Sequence, residues 1–270
     1  MSNGVERIAE AFARARANGR RAALMPYLMG GFPDLETSRA IGLAYADAGA
    51  DLIELGVPFS DPLADGPVIH AAATAALASG ATLPGVLDVA GTIAQRVPVT
   101  LMCYANPIMV RGLERFADAL VAASVSGLIV PDLPLEEAGD VRAACRARGL
   151  ALVPLVAPTT PAERLQRIGA GASGFVYTVS LTGTTGERAA VDAALSTVIA
   201  RAAAHATVPV AVGFGISTPE HAAAAATAGA QGVIVGSRLV RAAGEADDPA
   251  AAAGELVREL SAALSAPSLG

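Results

Sequence analysis

The amino-acid sequence predicts an α/β protein of the (β/α)8 kind, a TIM barrel with an additional N-terminal helix, formed as one domain over residues 1–270. Three observations carry that expectation. Eight short apolar segments alternate with helical runs along the chain. Those segments are apolar throughout rather than at every second residue, as strands become when helices cover both faces of a parallel sheet. A module also recurs at Ala48-Gly49-Ala50, Ala170-Gly171-Ala172 and Ala228-Gly229-Ala230, each followed within a few residues by an apolar run. This is the pattern of a helix that ends at a glycine and returns the chain to the lower rim of a barrel.

In chain order, Val5, Ile8, Ala9 and Phe12 fall at i, i+3, i+4 and i+7, so an amphipathic helix opens the chain. The run from Ala22 to Leu28 reads as the first strand and leads into Gly30-Gly31-Phe32-Pro33-Asp34, a loop. A helix from Leu35 to Ala48 precedes the strand Leu52 to Val57; helical runs from Val68 to Ala78 and from about Pro84 precede Val97 to Tyr104. A helix from Gly112 to Ala123 leads to the strand Leu128 to Val130, and one from Glu136 to Arg148 to Leu150 to Val156. Helices from Pro161 to Ile168, Ala189 to Ala204 and Pro219 to Ala228 precede the strands Gly174 to Val179, Pro209 to Phe214 and Gly232 to Val235. A last helix, about Ala250 to Leu264, closes the series, and no change of composition marks a second domain.

Composition excludes several functions. All 19 basic residues are Arg, so no Schiff-base lysine exists, which removes lysine-dependent aldolases and covalent attachment of pyridoxal phosphate to this chain. The net charge is -6 without a basic run, against nucleic-acid binding. His70, His205 and His221 lack metal-ligand spacing, so no metal site is expected. Cys103 and Cys145 have neither CxxC spacing nor the density of a secreted scaffold and read as buried thiols of a reduced compartment. Glycine, proline and hydroxyl residues interrupt the uncharged stretches, and the start lacks signal-peptide order, so a soluble cytoplasmic protein with no membrane partner is expected.

The chemistry is expected at the C-terminal ends of the strands. Glu54 lies mid-strand; alternation puts Leu52, Glu54 and Gly56 on one face and Ile53, Leu55 and Val57 on the other, so Glu54 points into the barrel mouth. Burial there raises a carboxyl pKa and suits acid/base work; the competing reading, an ion pair within the barrel, lacks an arginine on any predicted strand. Asp65 follows on the loop above and can face Glu54 across a ligand, but its place before Gly66-Pro67 and a helical run suits helix capping equally well. The glycine turns Gly213-Phe214-Gly215-Ile216-Ser217 and Gly236-Ser237-Arg238 end the last two strands, where barrels hold phosphate and where a helix starting near Ser237 would direct its positive end. Ser180 to Arg188, polar and glycine-rich, reads as a mobile lid that brings Thr185 and Gly186 to the ligand. Tyr27, Tyr104, Tyr177 and Phe214 serve either as walls for a flat ligand or as core packing.

Glu54-Leu-Gly-Val-Pro-Phe-Ser-Asp-Pro-Leu-Ala-Asp65-Gly-Pro closely resembles the signature of the tryptophan synthase alpha chain family. Met102-Cys-Tyr-Ala-Asn-Pro, Val130-Pro-Asp-Leu-Pro, Thr182-Gly-Thr-Thr-Gly, Gly213-Phe-Gly-Ile-Ser and Gly236-Ser follow in the family's order. The resemblance implies retro-aldol cleavage of indole-3-glycerol phosphate to indole and glyceraldehyde 3-phosphate. It assigns Glu54 as general acid/base and Asp65 as the partner of the indole N–H. Tyr177 would lie beside Glu54; Tyr27, Tyr104 and Phe214 would line the indole pocket, with Thr185 on the lid; and Gly186, Gly215, Gly236 and Ser237 would hold phosphate. It further implies an α2β2 complex with a beta chain that alone carries pyridoxal phosphate, docked through the Pro58–Pro62 loop and Asn106-Pro107. Phe32, Leu181 and Thr184 differ from residues common in the family and bear on docking and lid closure. A free-standing indole-glycerol-phosphate lyase and a non-catalytic phosphosugar-binding regulator are the alternatives.

Overall fold

The computed structural model of the protein describes residues 2–179, 188–213 and 215–265, with the backbone alone for 188–194. Thr185, Gly186, Phe214, Leu181 and Thr184 lie outside the described residues.

The opening helix, α1 (Gly4–Ala17), begins at a reciprocal cap: Asn3 accepts from the Glu6 N–H, and Glu6 accepts from the Asn3 N–H. Its Ile8 is buried with Met25, Leu52 and Phe175, and its Phe12 ring lies 6.1 Å from that of Phe175. The helix therefore closes the N-terminal end of the barrel. The chain continues through β1 (Ala23–Met29), α2 (Leu35–Asp47), β2 (Ile53–Gly56), α3 (Pro67–Ala78), α4 (Leu83–Ile93), β3 (Val99–Met102), α5 (Ala105–Arg111), α6 (Leu113–Ala122) and β4 (Gly127–Ile129). It then forms α7 (Gly139–Ala147), β5 (Ala151–Val153), β6 (Leu155–Val156), α8 (Ala162–Gly171), β7 (Val176–Val179), α9 (Arg188–Ala203), β8 (Val210–Gly213), α10 (Pro219–Thr227), β9 (Gly232–Val235), α11 (Ser237–Glu245) and α12 (Pro249–Leu264).

All paired strands are parallel, in the order β5-β4-β3-β2-β1-β9-β8-β7-β6. The two ends of that order are β5 and β6, separated by Pro154 alone, so they are halves of one barrel strand. Proline has no N–H to give to a ladder. Its carbonyl still accepts from the Tyr177 N–H at 3.0 Å, and the strand turns there from pairing with β4 to pairing with β7. The ring thus has the eight staves expected, with the fifth kinked.

Two apolar layers follow from strand alternation. Outward residues such as Ile53, Leu55, Leu101, Val176, Val212 and Val233 join the helices in one large core, while Leu52, Ile129, Val153, Phe175 and Ile234 fill the barrel from below. Each fully buried aliphatic side chain contributes about 1.5–3 kcal/mol, which compensates for the scarcity of aromatics. At the lower rim Arg20 bonds Asp51 at 2.6 Å, the Gly49 carbonyl at 2.7 Å and Ser261 at 2.8 Å, pinning α12 to the start of β2.

The main departures are local. Ala105–Arg111 is a separate short helix not expected from sequence, and Pro107 falls within its first turn, where proline is tolerated. Helix α7 starts later than Glu136. Gly49 and Gly229 take the left-handed conformation expected of helix ends (φ +102° for both), whereas in the second module that conformation falls on Gly174, three residues after Gly171.

Candidate active site

Strand β2 carries Glu54 between Ile53 and Leu55, both buried in the outer core, so the carboxyl faces the barrel interior. It is paired in register with Tyr27 of β1 and Thr100 of β3. Glu54 is 1 % exposed, and its Oε2 is buried without a hydrogen-bond partner. Burial first, and then the nearby Asp65 carboxylate, push its pKa from an ordinary 4.5 up to about 8. A group in that range both gives and takes a proton near neutrality.

Above it lies a cavity of about 300 Å³ at the C-terminal ends of the strands. Of the residues singled out from sequence, Tyr27, Glu54, Asp65, Tyr177, Gly215, Gly236 and Ser237 all line this one space. Thr185, Gly186 and Phe214 are not among the described residues. Tyr104 stands apart: it is not a lining residue, its ring stacks on Phe59 at 5.3 Å, and its hydroxyl accepts from the Ala64 N–H at 3.0 Å. Tyr104 therefore anchors the loop that carries Asp65.

The N-cap of α3 is Gly66, with no side chain bonded to the helix end. Asp65 is thus not consumed by capping. Burial raises its pKa, while the Tyr104 hydroxyl and His70 act in the opposite direction. Tyr27 and Tyr177 are driven well above the ordinary phenol range, chiefly by burial and then by the carboxylates, and stay neutral hydroxyls.

Two glycines make room for those rings. A Cβ on Gly56 would lie 2.0 Å from the Tyr27 hydroxyl, and one on Gly213 would lie 2.3 Å from that of Tyr177. Gly213, read from sequence as part of an anion loop, is needed here as space for a tyrosine. On the opposite side, Gly236 caps α11 without a side-chain bond, and Gly236, Ser237 and Arg238 line the cavity. A helix N-terminus offers its first N–H groups to an anion. Arg238 is the cation of the lining, and no ion pair of it is recorded among the described residues. Met102, Ile69, Ile216 and Ile234 supply apolar wall. Sequence does not mark these residues, because apolar residues in strands and helices carry no signal that separates wall from core.

The family model for the tryptophan synthase alpha chain matches residues 12–265. The chain belongs to the tryptophan synthase alpha chain family. A Prochlorococcus marinus tryptophan synthase alpha chain is 51% identical over 244 residues, covering 89% of this chain and 88% of that one. One from Thermosynechococcus vestitus is 45% identical over 265 residues, covering 97% and 99%. Among solved structures, a chain of Mycobacterium tuberculosis tryptophan synthase superposes with a TM-score of 0.88 at 38% identity, covering 98% of this chain and 100% of that one. The alpha subunit of Legionella pneumophila tryptophan synthase gives 0.88 at 37% identity, covering 96% and 98%. The family is thereby matched over nearly the whole chain.

Proposed function

We propose that this chain cleaves indole-3-glycerol phosphate to indole and glyceraldehyde 3-phosphate, with Glu54 transferring the protons and Asp65 holding the indole N–H. The family's reaction is this carbon–carbon lyase step of tryptophan biosynthesis. The observation that carries the assignment of roles is the buried Glu54 carboxyl, whose Oε2 has no hydrogen-bond partner, beneath a cavity that also holds Asp65.

Because its pKa is raised to about 8, Glu54 is protonated near neutrality and can supply a proton to the indole ring carbon that bears the glycerol chain. The ring nitrogen's lone pair feeds that carbon and leaves positive charge on the nitrogen, which the Asp65 carboxylate balances. Glu54, now ionised, takes the proton of the glycerol hydroxyl. The O–H electrons form the aldehyde C=O, the C–C bond breaks, and its electron pair returns to the ring as neutral indole. One proton is given and one is regained. The ring serves as electron sink, consistent with a chain that has no lysine.

Gly215, Gly236 and Ser237 would hold the phosphate at the N-terminus of α11, with Arg238 close by. The rim supports a beta-chain partner in an α2β2 complex: Leu63, Met109 and Val110 are exposed on the loop above β2 and on α5, two segments joined through Tyr104. Pyridoxal phosphate would then belong to that beta chain, and the complex would be cytoplasmic. The deciding assay is indole release by Glu54→Gln: loss of turnover with retained substrate affinity supports the roles given, and unchanged turnover refutes them.

A further inference from the structure

Four buried side-chain oxygens among the described residues lack a hydrogen-bond partner: Glu54 Oε2, Thr100 Oγ1, Ser126 Oγ and Thr178 Oγ1. Leaving such a group unpaired costs about 1–3 kcal/mol, so each calls for a reason. Thr178 follows Val176 by two residues on β7 and so shares its outward face. Ser126 precedes β4 at the lower end, where its backbone is met by Gly4 of α1.

Thr100 is different. Val99 and Leu101 on either side of it belong to the outer core, and Met102, two residues further along β3, lines the cavity. Alternation therefore turns Thr100 inward, below Met102. Its Cα pairs with that of Glu54 across the parallel β2–β3 ladder, and it is 0 % exposed. Two unpaired polar groups thus stand side by side on the same face of neighbouring strands.

We infer that Thr100 is a positioning residue for Glu54, its hydroxyl bonding the Glu54 carboxyl as that group loses and regains its proton. A hydroxyl suits this task because it donates to a carboxylate and accepts from a carboxylic acid, changing role by rotation of one hydrogen. The hydroxyl can turn about the Thr100 Cα–Cβ bond between staggered positions open to a threonine in a strand, on the ladder position paired with Glu54. The other titratable groups facing Glu54 are Tyr27 of β1, Tyr177 of β7 and Asp65 of the loop above, and none of them is recorded as bonded to Oε2. Thr100 forms no part of the cavity lining, so it acts on the substrate only through Glu54. The inference rests on Glu54 being the proton-transfer group.

The test compares Thr100→Val, Thr100→Ala and Thr100→Ser with the native full-length chain, each with its beta chain added, for kcat, KM and pH profile of indole release. Valine keeps the branched shape and removes the hydroxyl; alanine serves the same purpose should valine disturb folding, which circular dichroism reports. Losing a hydrogen bond to an ionised group is expected to lower kcat roughly tenfold to a hundredfold with KM little changed. The pH midpoint assigned to Glu54 should move upward, because the hydroxyl stabilises the ionised form. Serine should restore both kcat and profile. Native kcat and profile in the valine or alanine variant overturn the inference, as does a serine variant no better than valine. Glu54→Gln is run alongside. If it remains active, the role of Glu54 falls and the inference with it; if it is inactive while Thr100→Val behaves as native, only the inference falls.

Discussion

Strand β2 has a carboxylate just before it and another within it, and the two are treated in opposite ways. Asp51, at the lower rim, accepts from the Leu24 N–H at 2.8 Å and from Arg20 at 2.6 Å. Glu54, three residues on and nearer the cavity, has an Oε2 with no partner. Burial raises the pKa of both, but at Asp51 the Leu24 N–H and Arg20 oppose it, whereas at Glu54 the neighbouring Asp65 reinforces it. A carboxyl held by donors ties elements together, and one buried beside another carboxylate with an oxygen left unbonded is kept ready to exchange a proton.

Substitutions at the two ends should separate these roles. Glu54→Gln is expected to lower kcat by roughly 10²–10⁴. It should also change the pH dependence of stability. A folded pKa of about 8 against an ordinary 4.5 means that folding favours the protonated form. The native chain therefore has its full contribution below the ordinary value and loses it as pH rises toward the folded value, by about 1.4 kcal/mol per pH unit. Glutamine removes that slope, so denaturant unfolding should find the variant more stable than the native chain at mildly alkaline pH. Arg20→Ala should do the reverse, costing roughly 3 kcal/mol by leaving Asp51 buried without its cation while kcat stays native. Smaller still is Gly56→Ala, whose Cβ would meet the Tyr27 hydroxyl at 2.0 Å. Displacing that ring should cost about 1–3 kcal/mol in unfolding free energy and lower kcat as well, because Tyr27 lines the cavity. If Arg20→Ala proved catalytically dead, or Glu54→Gln fully active, the division between the two ends of the strand would fail.

Much of this division is legible in sequence, and for identifiable reasons. The eight staves show because strands covered on both faces leave continuous apolar runs, and Glu54 shows because a charge interrupts one of them. The kink at Pro154 is hidden inside an apolar run, and α5 is hidden behind an Asn-Pro pair that a turn shares with a helix start. Asp65 is ambiguous until Gly66 is seen to cap α3. Tyr104 and Tyr177 look alike in a strand context, yet one braces a loop and the other faces the cavity, because that depends on which neighbours the barrel brings together. Thr100 gives no signal, since threonine is an ordinary strand residue and only its pairing with Glu54 makes its hydroxyl notable. Arg238 sits within a recognised anion loop but becomes part of a lining only when α11 is placed.

The Glu54 carboxyl holds its proton at neutral pH, while Asp51, just before the same strand, is held by Arg20 and the Leu24 N–H. Carbon-13 NMR of labelled carboxyl groups in the full-length chain, titrated with Glu54→Gln and Asp51→Asn as assignments, measures this directly. The expected result is a Glu54 resonance that titrates near 8 and an Asp51 resonance raised by burial but held down by the Leu24 N–H and Arg20. A Glu54 carboxyl that titrates near its ordinary 4.5 would contradict the account.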